Sequence, residues 1–452
     1  MNKRNNNKSY ELSKIAKEVI AGGVCHDVRF SNPHPIYIER SKGSYIWDID
    51  NNKYIDYGMG NGSLLIGHSH PDVINAIELT IKNGYHFGEE HYTAIAWGEK
   101  IIELVPSVEK VRFVGSGTEA IMLASRIARA YTNKKKIIRV EGHFHGWSDV
   151  VGKGFLDPFN QPVSLGIPEG TISEIIVAKQ DIDHIKKIIE ENNDVAAIIL
   201  EPSGASWGTV PIDIKFNEEL REITQRTGIV LIYDEIITGF RYSKGGYQEL
   251  IGIKPDLTTF GKIATGGTPG GVVGGKAEMF QYFDFTGNSE HDRFNRVHHF
   301  GTFNANPITA AAGLATLKIV ETGKPQKESD ALGEILRRKC NEIIKDLGLN
   351  SVVYGDSSLF HFFLQGPNQK EVATDNILNI KNTKVLKGIP KELVTNFQVR
   401  LREKGINIFS YTGGVLSSSH TKEDIDDSLT IFSEVLEDMQ KSSLIIYSSL
   451  LI

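Results

Sequence analysis

Lys262 sits in the segment PDLTTFGKIATGG, Pro255 to Gly267, just after the short apolar run Leu257 to Phe260 and between Gly261 and the pair Gly266-Gly267. A lysine is ordinarily a solvated surface charge. One that follows an apolar strand and is flanked by glycines suits a pocket where backbone approaches closely, and desolvation there lowers the amine pKa, as imine chemistry requires. Asp234 lies 28 residues earlier, in Tyr233-Asp234-Glu235-Ile236 at the end of the apolar run Ile229 to Tyr233. The carboxyl end of a buried strand is where open α/β sheets bind ligands. On its own, a helix cap or a solvated loop acid accounts for Asp234 equally well.

Two further stretches suit an anion. Gly115-Ser116-Gly117-Thr118-Glu119-Ala120 follows an apolar strand and opens a helical pattern. Small residues there let N–H groups approach a phosphate at a helix N-terminus, and the hydroxyls add donors. Glycine turns also join strands to helices without any ligand, and the spacing is not the GxGxxG of dinucleotide sites. Gly301-Thr302-Phe303-Asn304-Ala305-Asn306-Pro307 offers another hydroxyl, although a plain helix-entry turn explains it as well. An amine for an imine, a carboxylate to keep a pyridine nitrogen protonated and a phosphate cradle are together what pyridoxal phosphate (PLP) needs.

The elements that must position these groups are legible in outline. Strand-like runs at Lys110 to Val114, Lys136 to Val140, Ala196 to Leu200 and Ile229 to Tyr233 alternate with helical patterns at Thr118 to Ala130, Ile182 to Glu191 and Phe216 to Thr227. Nearly continuous apolar strands are buried on both faces, so a mostly parallel sheet between helices is expected. Before it, Glu11 to Ile20 reads as a helix stopped by Gly22-Gly23, and Ile36 to Tyr57 as a hairpin or small meander turning at Asn51-Asn52. Helical patterns follow at Pro71 to Asn83 and Ala94 to Val105, and another links onward at Asn306 to Glu321. The last helix, Lys422 to Gln440, is opened by Thr421 with Asp424 three residues on, an acidic capping pattern. The expected division is a disordered lead at 1–10, an N-terminal segment at 11–70, a large domain at 71–325 and a small α+β domain at 326–452.

Composition narrows the function classes. The 452 residues exceed one compact core, and 40% hydrophobic with 23% charged is ordinary for a globular protein. A net charge of −6 argues against a nucleic-acid surface. With two cysteines, Cys25 and Cys340, there is no disulfide framework and no CxxC zinc pair, which fits a cytoplasmic home. No apolar run has the roughly 20 residues of a membrane span, and the basic, Asn-rich start is no secretory signal. The apolar tail Leu444 to Ile452 is read as a docked helix end or partner contact. His26, His143, His145, His298 and His299 lack carboxylates at ligand spacing, so no metal site is expected and pocket-lining roles are preferred.

In order and spacing the chain resembles the class III aminotransferases of PLP fold type I, and among them the glutamate-1-semialdehyde aminomutase-like branch. The resemblance runs from about Gly22 to Asp438 through GGVCHDVR, YIDY…GHSHP, FVGSGTEA, FHGW, IILEP, YDEIITGFR, PDLTTFGK, GTFNANP and SSHTKEDID. It implies a large domain with a mostly parallel, seven-stranded type of sheet, and a smaller α+β domain built from both chain ends. Lys262 then holds PLP as a Schiff base and moves the proton, while Asp234 pairs with the pyridinium nitrogen. Ser116, Gly117 and Thr118 bind the phosphate; Phe144 and Ile236 cover the two ring faces, with Glu201 a polar group behind them. The resemblance also implies a homodimer with shared sites, in which Thr302 reaches the phosphate of the neighbouring subunit, and it matches Arg29 to a substrate carboxylate.

Departures fall on the substrate side. Where the aminomutases read GGVNSPVR, this chain has Cys25-His26-Asp27, so His26 replaces a serine. Phe144 replaces a tyrosine, Asn61 a tryptophan and Thr412 a glutamate. That pattern favours a transaminase passing nitrogen from a carboxylate-bearing amino donor to an oxo acceptor in a ping-pong cycle. The alternatives are the intramolecular aminomutase and, further off, a PLP racemase.

Overall fold

The computed structural model describes residues 4–367, 369, 372, 374–380, 382–408 and 411–446. Two compact units emerge: Pro71–Lys324 with Lys381–Lys387, and Met1–His70 with Pro325–Ile380 and Gly388–Ile452.

The first unit is built on a seven-stranded sheet. Across it run Lys110–Val114, Gly271–Gly275, Leu257–Phe260, Val230–Asp234, Val195–Leu200, Lys136–Val140 and Ile175–Ala178. The last five strands in that order pair in parallel, while Gly271–Gly275 is antiparallel to both its neighbours. Alternate residues feed two apolar cores: Ile137, Ile199 and Ile232 enter one, Ile138, Ile198 and Leu231 the other. Two-sided burial of this kind is why these strands read as unbroken apolar runs. Three elements lack such a signal. Gly271–Gly275 is glycine-rich because a Cβ at Gly271 would fall 2.5 Å from the Ser116 carbonyl oxygen. The edge strand Ile175–Ala178 is short, and in the other unit the 23-residue helix Lys324–Asp346 carries a proline in its first turn.

The second unit holds a four-stranded sheet ordered Ile38–Lys42, Tyr45–Asp48, Lys53–Tyr57 and Ile406–Ile408, and a three-stranded sheet of Ser351–Tyr354, Leu359–Leu364 and Gly413–Val415. The chain start and the C-terminal part thus share one unit. The first helix, Asn7–Val19, corrects the expected lead: residues 7–10 are helical, because the Asp50 carboxylate accepts the Lys8 and Ser9 N–H groups at 2.8 and 2.9 Å. A cap supplied 41 residues away leaves no local mark. At the other end Thr421 and Asp424 form the reciprocal cap of Lys422–Lys441. Residues 1–3 of the lead and 447–452 of the apolar tail lie outside the described residues.

Candidate active site

Three strand ends of the seven-stranded sheet carry ionisable residues singled out by the sequence. Val230–Asp234 ends at Asp234, Leu257–Phe260 leads to Lys262, and Val195–Leu200 leads to Glu201. Because these strands are parallel neighbours, the residues following each one emerge at the same edge, as ligand sites in open α/β sheets require.

Asp234 is buried. Its Oδ1 accepts the Ile236 N–H at 3.1 Å and the Thr259 hydroxyl at 3.4 Å, and its Oδ2 lies 2.7 Å from His145 Nδ1. Burial raises its carboxyl from 3.8 to about 7, against the pull of the Ile236 amide and the Lys262 charge. Lys262 is half-buried and opens a short 3₁₀ turn with φ of 51°, a left-handed conformation uncommon outside glycine. Burial lowers its amine, opposed by Asp234 and Glu201. Cation and carboxylates thus share one desolvated space, where a deprotonated amine becomes accessible.

Glu201 fastens two loops. Its Oε1 accepts the Phe144 and Ser206 N–H groups, and Oε2 the Trp207 N–H, each at 2.8 Å. Burial and the nearby Asp234 raise its carboxyl to about 7. Behind it, His143 Nδ1 accepts the Glu201 N–H at 2.9 Å. Burial keeps both His143 and His145 neutral, with pKa values well below the usual imidazole range.

Above these groups the helix Gly117–Thr132 begins after Val114, capped by Ser116, whose Oγ accepts the Glu119 N–H at 3.2 Å. That leaves the Ser116 proton and the Gly117 and Thr118 amides for an anion, at a 16-residue helix N-terminus. Glycine is needed around it: a Cβ on Gly117 would meet Ile236 Cδ1 at 3.0 Å, and one on Gly146 would meet Thr118 Oγ1 at 2.5 Å. Phe144 presents a ring that is 46% exposed, propped edge-on by Phe155 at 5.0 Å. These residues fit PLP: an amine for its aldehyde, a buried carboxylate for a cationic ring nitrogen, small residues and amides for the phosphate.

The structure therefore gathers Lys262, Asp234, Glu201, Ser116, Gly117, Thr118, Phe144 and Ile236 in one unit. Thr302 is exposed in the turn before the helix Pro307–Val320. The four residues read as substrate-facing belong to the other unit. Arg29 is exposed, His26 accepts the Val28 N–H at 3.4 Å, and Asn61 has φ of 57° in a tight turn. Thr412 is buried and donates its hydroxyl to the Phe362 carbonyl at 2.6 Å, a bond that commits it to the sheet.

Sequence reasoning missed Arg139 and Lys387. Arg139 is 1% exposed and donates to the Val151 and His143 carbonyls, so it braces the loop bearing Phe144 and His145. A charge inside the apolar run KIIRV was its available signal. Among the described residues no cluster of three His, Cys, Asp or Glu side chains is placed to hold a metal, and no helix is long and apolar enough to cross a membrane.

Residues 28–436 match the family model for class-III aminotransferases. A glutamate-1-semialdehyde 2,1-aminomutase of Methanopyrus kandleri is 36% identical over 438 residues, 95% of this chain and 97% of that protein. Further relatives at 36% to 39% identity carry the same name. Among solved structures, an omega-transaminase from Sphaerobacter thermophilus is 32% identical with a TM-score of 0.86, covering 96% of this chain and 98% of that one. A transaminase with PLP bound is 28% identical with a TM-score of 0.84, covering 97% and 99%. The fold shared with these transaminases is that of PLP-dependent transferases of fold type I.

Proposed function

The chain belongs to the class-III aminotransferases, and from that premise we propose that it moves an amino group on a small carboxylate-bearing substrate with PLP attached at Lys262. The observation that carries this reading is Lys262 following the strand Leu257–Phe260, whose Thr259 pairs in parallel with the buried Asp234, itself bonded to His145. PLP supplies an electron sink conjugated to the reacting carbon. Asp234 holds the ring nitrogen protonated, and His145 holds Asp234 in place. Ser116, Gly117 and Thr118 would hold the phosphate, and Phe144 and Ile236 would flank the ring. With PLP bound, Lys262 Nζ would take the proton from the substrate carbon and return it. Arg29 recognises the carboxylate, with His26 and Asn61 among the substrate-side positions.

Two destinations for the amino group are supported unequally. The names of the curated relatives favour intramolecular transfer, a glutamate-1-semialdehyde 2,1-aminomutase, and this is the first reading. The second, transfer to a separate oxo acceptor, draws on the departures at His26, Asn61, Phe144 and Thr412 and on the transaminase at 32% identity. Feeding glutamate-1-semialdehyde alone separates them. Formation of 5-aminolevulinate without an acceptor supports the mutase; no product, with turnover of an amino donor only when an oxo acid is added, supports the transaminase.

Association with a second copy belongs to the same proposal. Phe285, Phe294, Phe300 and Phe303 are 64% to 86% exposed along the stretch that carries Thr302, more apolar surface than a lone protomer gains by showing to water. A dimer mass in solution that falls to the monomer in Phe300→Asp and Phe303→Asp variants would support it.

A further inference from the structure

Residues 382–387 belong with the PLP-side unit although the chain on either side belongs to the other. So short an excursion must be held by its own contacts. Asn382 caps the turn Thr383–Leu386 by accepting the Lys384 and Val385 N–H groups at 3.1 and 3.3 Å. Thr383 and Leu386 are buried, and Thr383 packs so closely that a Cβ on Gly142 would lie 2.3 Å from its Cγ2.

At the end of this stretch Lys387 reaches inward. Its Nζ donates to the Gly142 carbonyl at 2.7 Å, the Ser206 hydroxyl at 3.1 Å and the Phe155 carbonyl at 3.4 Å, and lies 4.1 Å from the centre of the Phe155 ring. Gly142 and Phe155 are the two ends of the loop that carries Phe144 and His145. That loop is closed by the Gly142 N–H on the Gly154 carbonyl at 2.7 Å. Ser206 belongs to the turn whose N–H groups are taken by Glu201, the carboxylate that also takes the Phe144 N–H. One ammonium therefore joins both ends of the Phe144 loop to the turn that anchors its middle. Desolvation lowers this amine to about 8, with the Glu201 charge opposing, so its place is costly unless its partners stay assembled.

We propose that Lys387 is a positioning residue, which pins the loop 142–155 so that Phe144 presents its ring to the cofactor. The inference rests on the reading of this pocket as the PLP site, and it concerns cofactor retention and loop order rather than proton transfer.

The test compares Lys387→Met and Lys387→Arg with Lys384→Ala, an exposed lysine of the same turn paired with Asp157. Two quantities are read: PLP affinity from the absorbance of bound cofactor, and amide hydrogen exchange of the cofactor-free proteins. In Lys387→Met, PLP should bind about tenfold or more weakly, the weight of one charge-assisted hydrogen bond. Exchange should quicken at 142–155 and stay at parental rates in the other strands and helices of the unit. Lys387→Arg should recover part of both, and Lys384→Ala should change neither. Parental loop exchange in Lys387→Met, or exchange quickened evenly through the unit, overturns the proposal. If the parent itself binds no PLP, the functional reading fails instead, and loop exchange still decides the role of Lys387.

Discussion

His145 Nδ1 lies 2.7 Å from Asp234 Oδ2, with both side chains buried. When ionised, Asp234 takes the Ile236 N–H and the Thr259 hydroxyl on its other oxygen, and the imidazole donates to the remaining one. Burial holds His145 neutral, so facing the ionised carboxylate its one proton sits on Nδ1. The carboxylate thus has three donors and lacks only a formal positive charge, the one thing a protonated pyridine nitrogen brings.

Asp234→Asn should therefore fold, bind PLP more weakly and lose turnover by roughly 10²–10⁴-fold, the usual range for a residue governing proton chemistry. Its bound cofactor should show an altered absorbance, since the ring nitrogen is no longer held protonated. Turnover within a factor of a few of the parent would remove Asp234 from the reaction.

The same carboxyl gives a stability prediction with a definite sign. With its folded pKa raised from 3.8 to about 7, cofactor-free protein keeps a proton that the unfolded chain has released between about pH 4 and 7. Stability then falls as pH rises through that window, at up to ~1.4 kcal/mol per pH unit. Glu201 titrates in the same window and is itself raised by Asp234, so the difference between the denaturation curves of the parent and Asp234→Asn reports Asp234 together with its push on Glu201. That difference should shrink from pH 5 to pH 7 in cofactor-free protein and much less with PLP bound. A difference independent of pH would mean that Asp234 is ionised at pH 5 in the folded protein.

Lys262→Ala should abolish the absorbance of lysine-bound cofactor and reduce turnover by ~10²–10⁴-fold or more, with loss of both attachment and proton transfer. PLP should still be retained through the phosphate cradle. Normal turnover in this variant would end the assignment.

Gly146→Ala tests the cradle without replacing a polar side chain. At φ of 83° a side chain is strained, and its Cβ would fall 2.5 Å from Thr118 Oγ1. The backbone alone costs roughly 1–2 kcal/mol, and relief must come from Thr118 moving off the phosphate position. PLP affinity should drop about tenfold or more on titration, with stability lowered modestly. Unchanged affinity would show that the Thr118 hydroxyl does not serve the phosphate.

What the sequence made legible follows from how local each signal was. Lys262, Asp234 and the Ser116–Thr118 turn stand at strand ends with apolar runs before them, so their surroundings are written beside them. His145 was placed no more closely than a pocket-lining residue, since its bond to Asp234 spans 89 positions. Lys387 left no trace, because only the fold brings it to Gly142 and Ser206. Gly271–Gly275 was unreadable for the opposite reason, its glycines reflecting close approach of Ser116, Val108 and Asp256 rather than a turn of their own. At the chain start, a cap from Asp50 made a helix where composition suggested none.

Arg29 is where substrate chemistry can be tested most directly. It is exposed at the end of the short turn Asp27–Arg29, whose cap is the His26 ring accepting the Val28 N–H. A guanidinium there can take a carboxylate through two parallel N–H bonds, which a lysine ammonium cannot reproduce. Arg29→Lys and Arg29→Gln should both raise KM for a carboxylate-bearing substrate, by roughly 10- to 100-fold for the glutamine, with a smaller effect on kcat. The half-reaction with an amine lacking a carboxylate should proceed as in the parent, because that contact is never made. Equal losses with both kinds of donor would assign Arg29 to the fold of its turn, and the carboxylate would then have to be recognised elsewhere.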